Sequence, residues 1–248
     1  LKNYQKKIVF LILFELLLNI HPIQSQTSND VKTYNWFDNT VGKDNLDIYN
    51  GVPHTNPYRT LRSDIHLYLV DKYELGKAVY EDQAYYDIKL KYDIYRDILV
   101  LNPAGGSENI GISLIQNKVS SFSIQDKNFI KRERATEDIP EFTTGYYEES
   151  KVAPELVLYI RHHKDMQKTI SDNSIYYVFK ENNSYFIDLK GKIYLIKSKG
   201  DLIKLFPEQK KQINGFYLLN RELRKSDLDQ FMKNLMKYTF NSLSISSK

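Results

Sequence analysis

Cysteine is missing from the 248 residues of this chain. Its absence excludes a disulfide framework and thiolate metal centres, and it removes the acceptor for a lipid just after a leader. Long apolar runs are scarce as well. One stretch, Ile8 to Leu18, is apolar apart from Glu15. It is shorter than the roughly 20 residues that a membrane-spanning helix needs. No second run is long enough, so no transmembrane segment is expected after the leader. Charge of one sign is also lacking. Lys and Arg number 35 against 31 Asp and Glu, a formal net charge of +4. That excess is too small to imply a nucleic-acid partner.

What is present begins with the pattern of a secretion signal. Lys2, Lys6 and Lys7 form a basic start, and Ile8 to Leu18 forms the apolar centre. Pro22 then stops the helix, and Gln24-Ser25-Gln26-Thr27-Ser28 offers an extended polar region to a peptidase. We expect residues 1–25 to be a signal peptide cut after Ser25, with export to the periplasm or cell surface. An uncleaved anchor is the competing reading, against which the short run and Glu15 argue. The first residue is Leu1 and not Met, which suggests an alternative start codon or a leader only partly shown.

Beyond the leader the charge is uneven. Residues 190–237 hold twelve Lys or Arg against five Asp or Glu. Such polarity can turn a protein toward an anionic surface, although a solvated basic helix face has the same composition. Tyrosine is abundant, 20 residues against one tryptophan. It suits a pleated, half-buried surface, and it can also form a face on which sugar rings stack.

The order of elements reads as mainly β (α+β), with an antiparallel meander or sandwich-like sheets followed by two or three amphipathic helices. Residues 26–45 are polar and expected to be flexible at first. Ile65 to Val70 and Lys77 to Tyr80 are strand candidates. In Ala84 to Tyr92, Tyr86, Ile88, Leu90 and Tyr92 fall on one face and Tyr85, Asp87, Lys89 and Lys91 on the other. Tyr95–Leu101, Ile110–Ile115 and Val119–Ile124 follow at short, regular spacing. Later candidates are Thr143–Tyr147, Glu155–His163, Tyr176–Lys180, Tyr185–Leu189 and Lys192–Lys197. Asn182-Asn183 and Lys190-Gly191 are expected to close hairpins. A helix is expected from Gly200 to Phe206, and Pro207 fits the first turn of the next. Ser226 and Asp229 resemble a capping box before the stripe Leu228, Phe231, Met232, Leu235. The organisation is a signal over 1–25, a β region over 26–150, and hairpins with helices over 151–248, the last two read either as separate or as one domain. Short strands and a polar tail after a helix argue against an outer-membrane barrel.

Several stretches stand together in a recognisable order: Gly42-x-x-Asn45, Tyr49-Asn50-Gly51, Gly76-x-x-x-Tyr80, Tyr85-Tyr86-Asp87-x-x-Leu90-Lys91-Tyr92-Asp93 and Tyr95-x-Asp97. Phe129, Tyr176-Tyr177, Lys197-Ser198-Lys199 and Leu202 to Phe206 follow. This order resembles a group of exported proteins of uncharacterised activity from Gram-negative bacteria of the Bacteroidetes type. The resemblance implies an envelope location and supplies no catalytic residue.

Motifs that carry chemistry are few. His162-His163 would point to opposite faces of a strand, so the pair suits a shared metal poorly. Gly105-Gly106-Ser107 lacks the nucleophile-elbow spacing. No cofactor is expected. The first expectation is a non-catalytic binding or structural accessory of the envelope, its partner an envelope polymer or an envelope protein. A glycan binder using Tyr85 and Tyr147 as platforms is a second. A hydrolase with carboxylates at Asp87, Asp93 and Asp97 is a third.

Overall fold

The computed structural model describes residues 24–42, 45–60, 65–69, 71–103, 105–134 and 139–246. The chain falls into two units, residues 1–43 and 44–248. In the first, Gln24–Val41 forms helix α1. The segment has no Gly or Pro to interrupt it, and Gly42 ends it at φ +87° with its N–H on the Asp38 carbonyl. The flexible start expected over 26–45 is therefore replaced by helix. Most of the expected leader lies outside the described residues, and a cut after Ser25 falls in the first turn of α1. Among the described residues no helix is long and apolar enough to cross a membrane.

The second unit is mainly β. Its strands are β1 (Val52–Pro53), β2 (Glu74–Tyr80), β3 (Gln83–Asp93), β4 (Ile98–Asn102), β5 (Ile112–Ser113) and β6 (Val119–Ile124). Then come β7 (Lys127–Arg132), β8 (Gly145–Ala153), β9 (Leu156–Arg161), β10 (Lys164–Ser171) and β11 (Ser174–Glu181), with β12 (Ser184–Leu189) and β13 (Lys192–Ile196) last. Eleven strands form one antiparallel sheet in the order β1-β5-β4-β3-β2-β6-β7-β8-β9-β12-β13, and β10-β11 form a second. The meander and the mainly β class expected from spacing are what is found. The division drawn at residue 150 falls inside β8.

Three two-residue turns carry positive φ at both positions: Glu81-Asp82, Asp172-Asn173 and Lys190-Gly191. This is the type I′ geometry that matches strand twist. The Lys190-Gly191 hairpin was legible in the sequence. The Asn182-Asn183 hairpin is not formed. Strand β11 returns to β10, while β12 pairs with β9, so β10-β11 is a hairpin inserted between neighbours in the main sheet. The strand expected at 65–70 reduces, over the described residues 65–69, to a single bridge between Leu67 and Asp93.

One bulge changes a face assignment. Along β2 and β3 the partner of Gly76 is Ile88, but that of Ala78 is Tyr85. The additional β3 residue is accommodated around Asp87, whose φ is +53°. A bulge of this kind moves the side chains before it to the opposite face. Tyr85 therefore joins Leu90 and Tyr92 in the core.

Helices α2 (Lys199–Leu205), α3 (Lys210–Leu219), α4 (Arg221–Ser226) and α5 (Leu228–Ser246) close the unit. Ser198 and Asp201 form a reciprocal capping box for α2. Pro207 opens a short 3-10 turn before α3. The cap expected at Ser226 sits one residue later: Asp227 Oδ1 accepts the Gln230 N–H at 2.8 Å. The Ser226 hydroxyl instead bonds the Glu222 carbonyl of α4. Phe231, Met232, Leu235 and Met236 of α5 pack with Leu158, Ile160 and Ile187 of β9 and β12. The expected stripe does face the sheet, except that Leu228 is 43% exposed.

Candidate functional site

A cleft of about 590 Å³ opens where the start of α5 meets the ends of β9, β11 and β12. Its floor carries an unusual burial of charge. Glu148 on β8 is 3% exposed, His162 4% and Lys233 8%. Glu148 Oε2 accepts from His162 Nε2 at 2.7 Å. Lys233 Nζ donates to Glu148 Oε1. Burial by itself would raise the Glu148 carboxyl, but the bonds from His162 and Lys233 prevail and hold it below the ordinary range.

Asp229, released from the expected capping box, forms the wall. It accepts the Tyr185 hydroxyl at 2.6 Å and the Asn183 amide at 3.3 Å. Its Oδ2 lies 3.7 Å from His162 Nδ1. Burial and then the Asp229 charge push the Tyr185 hydroxyl far up, so it stays a donor. On the opposite wall Tyr68 meets the His162 ring edge-on, with centroids 4.8 Å apart. The short segment bearing Tyr68 is pinned by Lys164, whose buried ammonium donates to the Ile65 and Leu67 carbonyls at 2.9 Å each. His162 and His163 diverge: His163 Nδ1 instead faces the Ile94 carbonyl at 3.3 Å.

The residues singled out from the sequence lie elsewhere and are not brought together. Tyr85 is 2% exposed and Tyr147 0%, so neither ring presents a stacking face. Tyr147 stacks on Phe142, centroids 4.7 Å apart, and donates to the Thr143 carbonyl at 2.7 Å. Strand β8 is central and covered on both faces, which is why Tyr146 and Tyr147 are both buried. The three carboxylates part company too. Asp87 is exposed on its bulge. Asp93 is fully buried, with its Oδ2 2.6 Å from Arg96 Nε and 3.6 Å from His66 Nε2. Asp97 accepts from the Tyr92 hydroxyl at 2.6 Å and from Gln116 Nε2 at 3.1 Å. Burial raises the Asp97 carboxyl despite these donors. These groups lock turns and do not form a pair flanking a cleft.

A second cluster imitates a nucleophile and its base. Ser113 Oγ is 3.0 Å from His54 Nδ1, and Arg96 Nη2 is 3.3 Å from His54 Nε2. A guanidinium can only donate, so Nε2 accepts and the ring proton sits on Nδ1. His54 then donates to Ser113 and cannot take its proton. Nearby, His66 is 1% exposed and neither of its ring nitrogens has a hydrogen-bond partner among the described residues. Burial outweighs the attraction of Asp93 and lowers its pKa. Among the described residues no three His, Cys, Asp or Glu side chains gather to hold a metal ion.

Comparison with family models, with curated proteins and with solved structures gives no match.

Proposed function

We propose that this chain is an exported, non-catalytic binding protein of a Gram-negative envelope, and that the cleft beside α5 is where it binds. The observation that supports the reading is the state of the cleft's ionisable groups. Glu148, Lys233 and Asp229 are each already engaged by another side chain. No hydroxyl among the described residues is hydrogen-bonded to His162 as a nucleophile. Such a floor is rigid and internally hydrogen-bonded, which suits recognition better than bond breaking. Asn182, Asn183, Gln230 and Asp229 line the opening and offer the amide and carboxylate groups that pair with sugar hydroxyls. An envelope glycan fits this lining, bound in the cleft and not on Tyr85 or Tyr147.

Titration calorimetry with soluble peptidoglycan fragments and with lipopolysaccharide core sugars tests the binding. Asp229→Asn, which replaces one acceptor oxygen by an NH2 donor and weakens the Tyr185 bond, is expected to weaken a bound glycan at least about tenfold. Equal affinity in that variant, or no heat with either sugar class, rejects the reading. The export half stands on the leader pattern and on the resemblance to exported proteins. Fractionating producing cells and sequencing the amino terminus should give a processed form starting near Gln26 outside the cytoplasm. A full-length cytosolic form would refute it.

A further inference from the structure

The corner between α3 and α4 combines exposed leucine with an excess of exposed cations. Leu218 is 68% exposed and Leu219 84%, the highest value among the described large apolar side chains. They follow one another, so the exposure is a local patch. Helical spacing puts Lys211, Gly215 and Leu218 on one stripe, at i, i+4 and i+7. A Cβ added at Gly215 would meet nothing within 4 Å, so the stripe faces outward. The opposite side of α3 is the packed one, through Ile213 and Phe216.

The surroundings are basic. Between residues 199 and 225, seven Lys or Arg are exposed against three Asp or Glu in that span. Asp201 is spent on the α2 cap and Glu222 faces Lys225 at 3.4 Å. Arg221 and Arg224 flank the leucines along α4, with the Arg224 guanidinium 5.3 Å from the Tyr217 ring. Exposed leucines alone would fit any apolar partner. Leucines set among surplus cations fit the acyl–headgroup boundary of an anionic bilayer, where apolar burial and charge attraction act together.

We propose that this corner docks the protein on the surface of an anionic lipid bilayer, with Leu218 and Leu219 entering the boundary and Arg221 and Arg224 on the headgroups. The docking is peripheral and independent of the cleft. Sedimentation with phosphatidylglycerol-containing and with pure phosphatidylcholine vesicles tests it. Wild type and variants all carry the same amino terminus, so any contribution from the apolar run at 8–18 is common to them. Wild type is expected to bind the anionic vesicles and to release substantially at about 1 M salt, where the screening length is about 3 Å. Each cation near the surface contributes about fivefold, so Arg221→Glu with Arg224→Glu should weaken binding at least about 25-fold. Leu218→Ser with Leu219→Ser should weaken it at low salt while leaving the melting temperature unchanged. Undiminished binding by the charge-reversed variant overturns the proposal. So does binding to soluble lipopolysaccharide without binding to vesicles, which would make the partner a glycan polyanion. If the leucine variant fails to fold, the arginine variant alone decides.

Discussion

Glu148→Ala should cost the fold about 3–5 kcal/mol at neutral pH. The removed carboxylate is the shared acceptor for two groups from distant parts of the chain, His162 at the end of β9 and Lys233 on α5. Its loss leaves the Lys233 ammonium, 8% exposed, without its counter-charge in a medium that solvates it poorly. Breaking a buried pair by removing one partner is far more damaging than removing both. Glu148→Leu combined with Lys233→Met should therefore recover much of the loss, although the His162 proton remains to be satisfied. Urea denaturation of wild type and these two variants measures this. A loss under about 1 kcal/mol in Glu148→Ala would mean that the array contributes little to stability. The pH dependence has a defined sign. The Glu148 carboxyl is held below its ordinary 4.5, so its contribution is fully present above that value. It is lost as pH falls through the lower, folded pKa. The stability gap between wild type and Glu148→Ala should thus be constant above about pH 5.5 and narrow in acid.

The difference between what could and could not be read beforehand has physical causes. Strand β6 was legible to the residue, because Val119–Ile124 is apolar enough and is bounded by turn residues on both sides. The α5 stripe was legible because helical periodicity survives a one-residue error in its cap. The face of Tyr85 was not, since one residue at Asp87 reverses every alternation before it. Strand β10 escaped because Lys164–Ser171 alternates weakly and pairs only with β11. A hairpin that is not part of the main sheet needs no continuous apolar face. The cleft was the least accessible. Tyr68, Glu148, His162, Tyr185, Asp229 and Lys233 come together only through sheet order and the packing of α5. In composition a buried glutamate is indistinguishable from a solvated one. The one sequence feature at the cleft pointed away from it: Ser226 and Asp229 have capping-box spacing, as Ser198 and Asp201 do at α2, yet Asp229 is held by Tyr185.

Gly76→Ala should be nearly as costly as the loss of Glu148, at about 3 kcal/mol. Strand β2 pairs with β3 on one side and β6 on the other, so it joins the first strands of the sheet to the rest. An alanine Cβ at position 76 would lie 2.1 Å from the Ser123 carbonyl oxygen and 3.1 Å from Leu90 Cδ1. Leucine can turn aside. A main-chain carbonyl inside a ladder cannot, so relief requires β2 and β6 to separate around the Gly76–Ile124 pair. The φ of Gly76 is not positive, and the cost is therefore one of space and not of backbone conformation. Gly215→Ala supplies the contrast. There the Cβ enters open space within α3, and the change should stabilise the protein by up to about 1 kcal/mol through helix propensity. Denaturation of both variants under one condition compares them directly. Equal effects at the two glycines would show that the β2–β6 spacing is elastic, and that the close approach at Gly76 does not hold the two parts of the sheet in place.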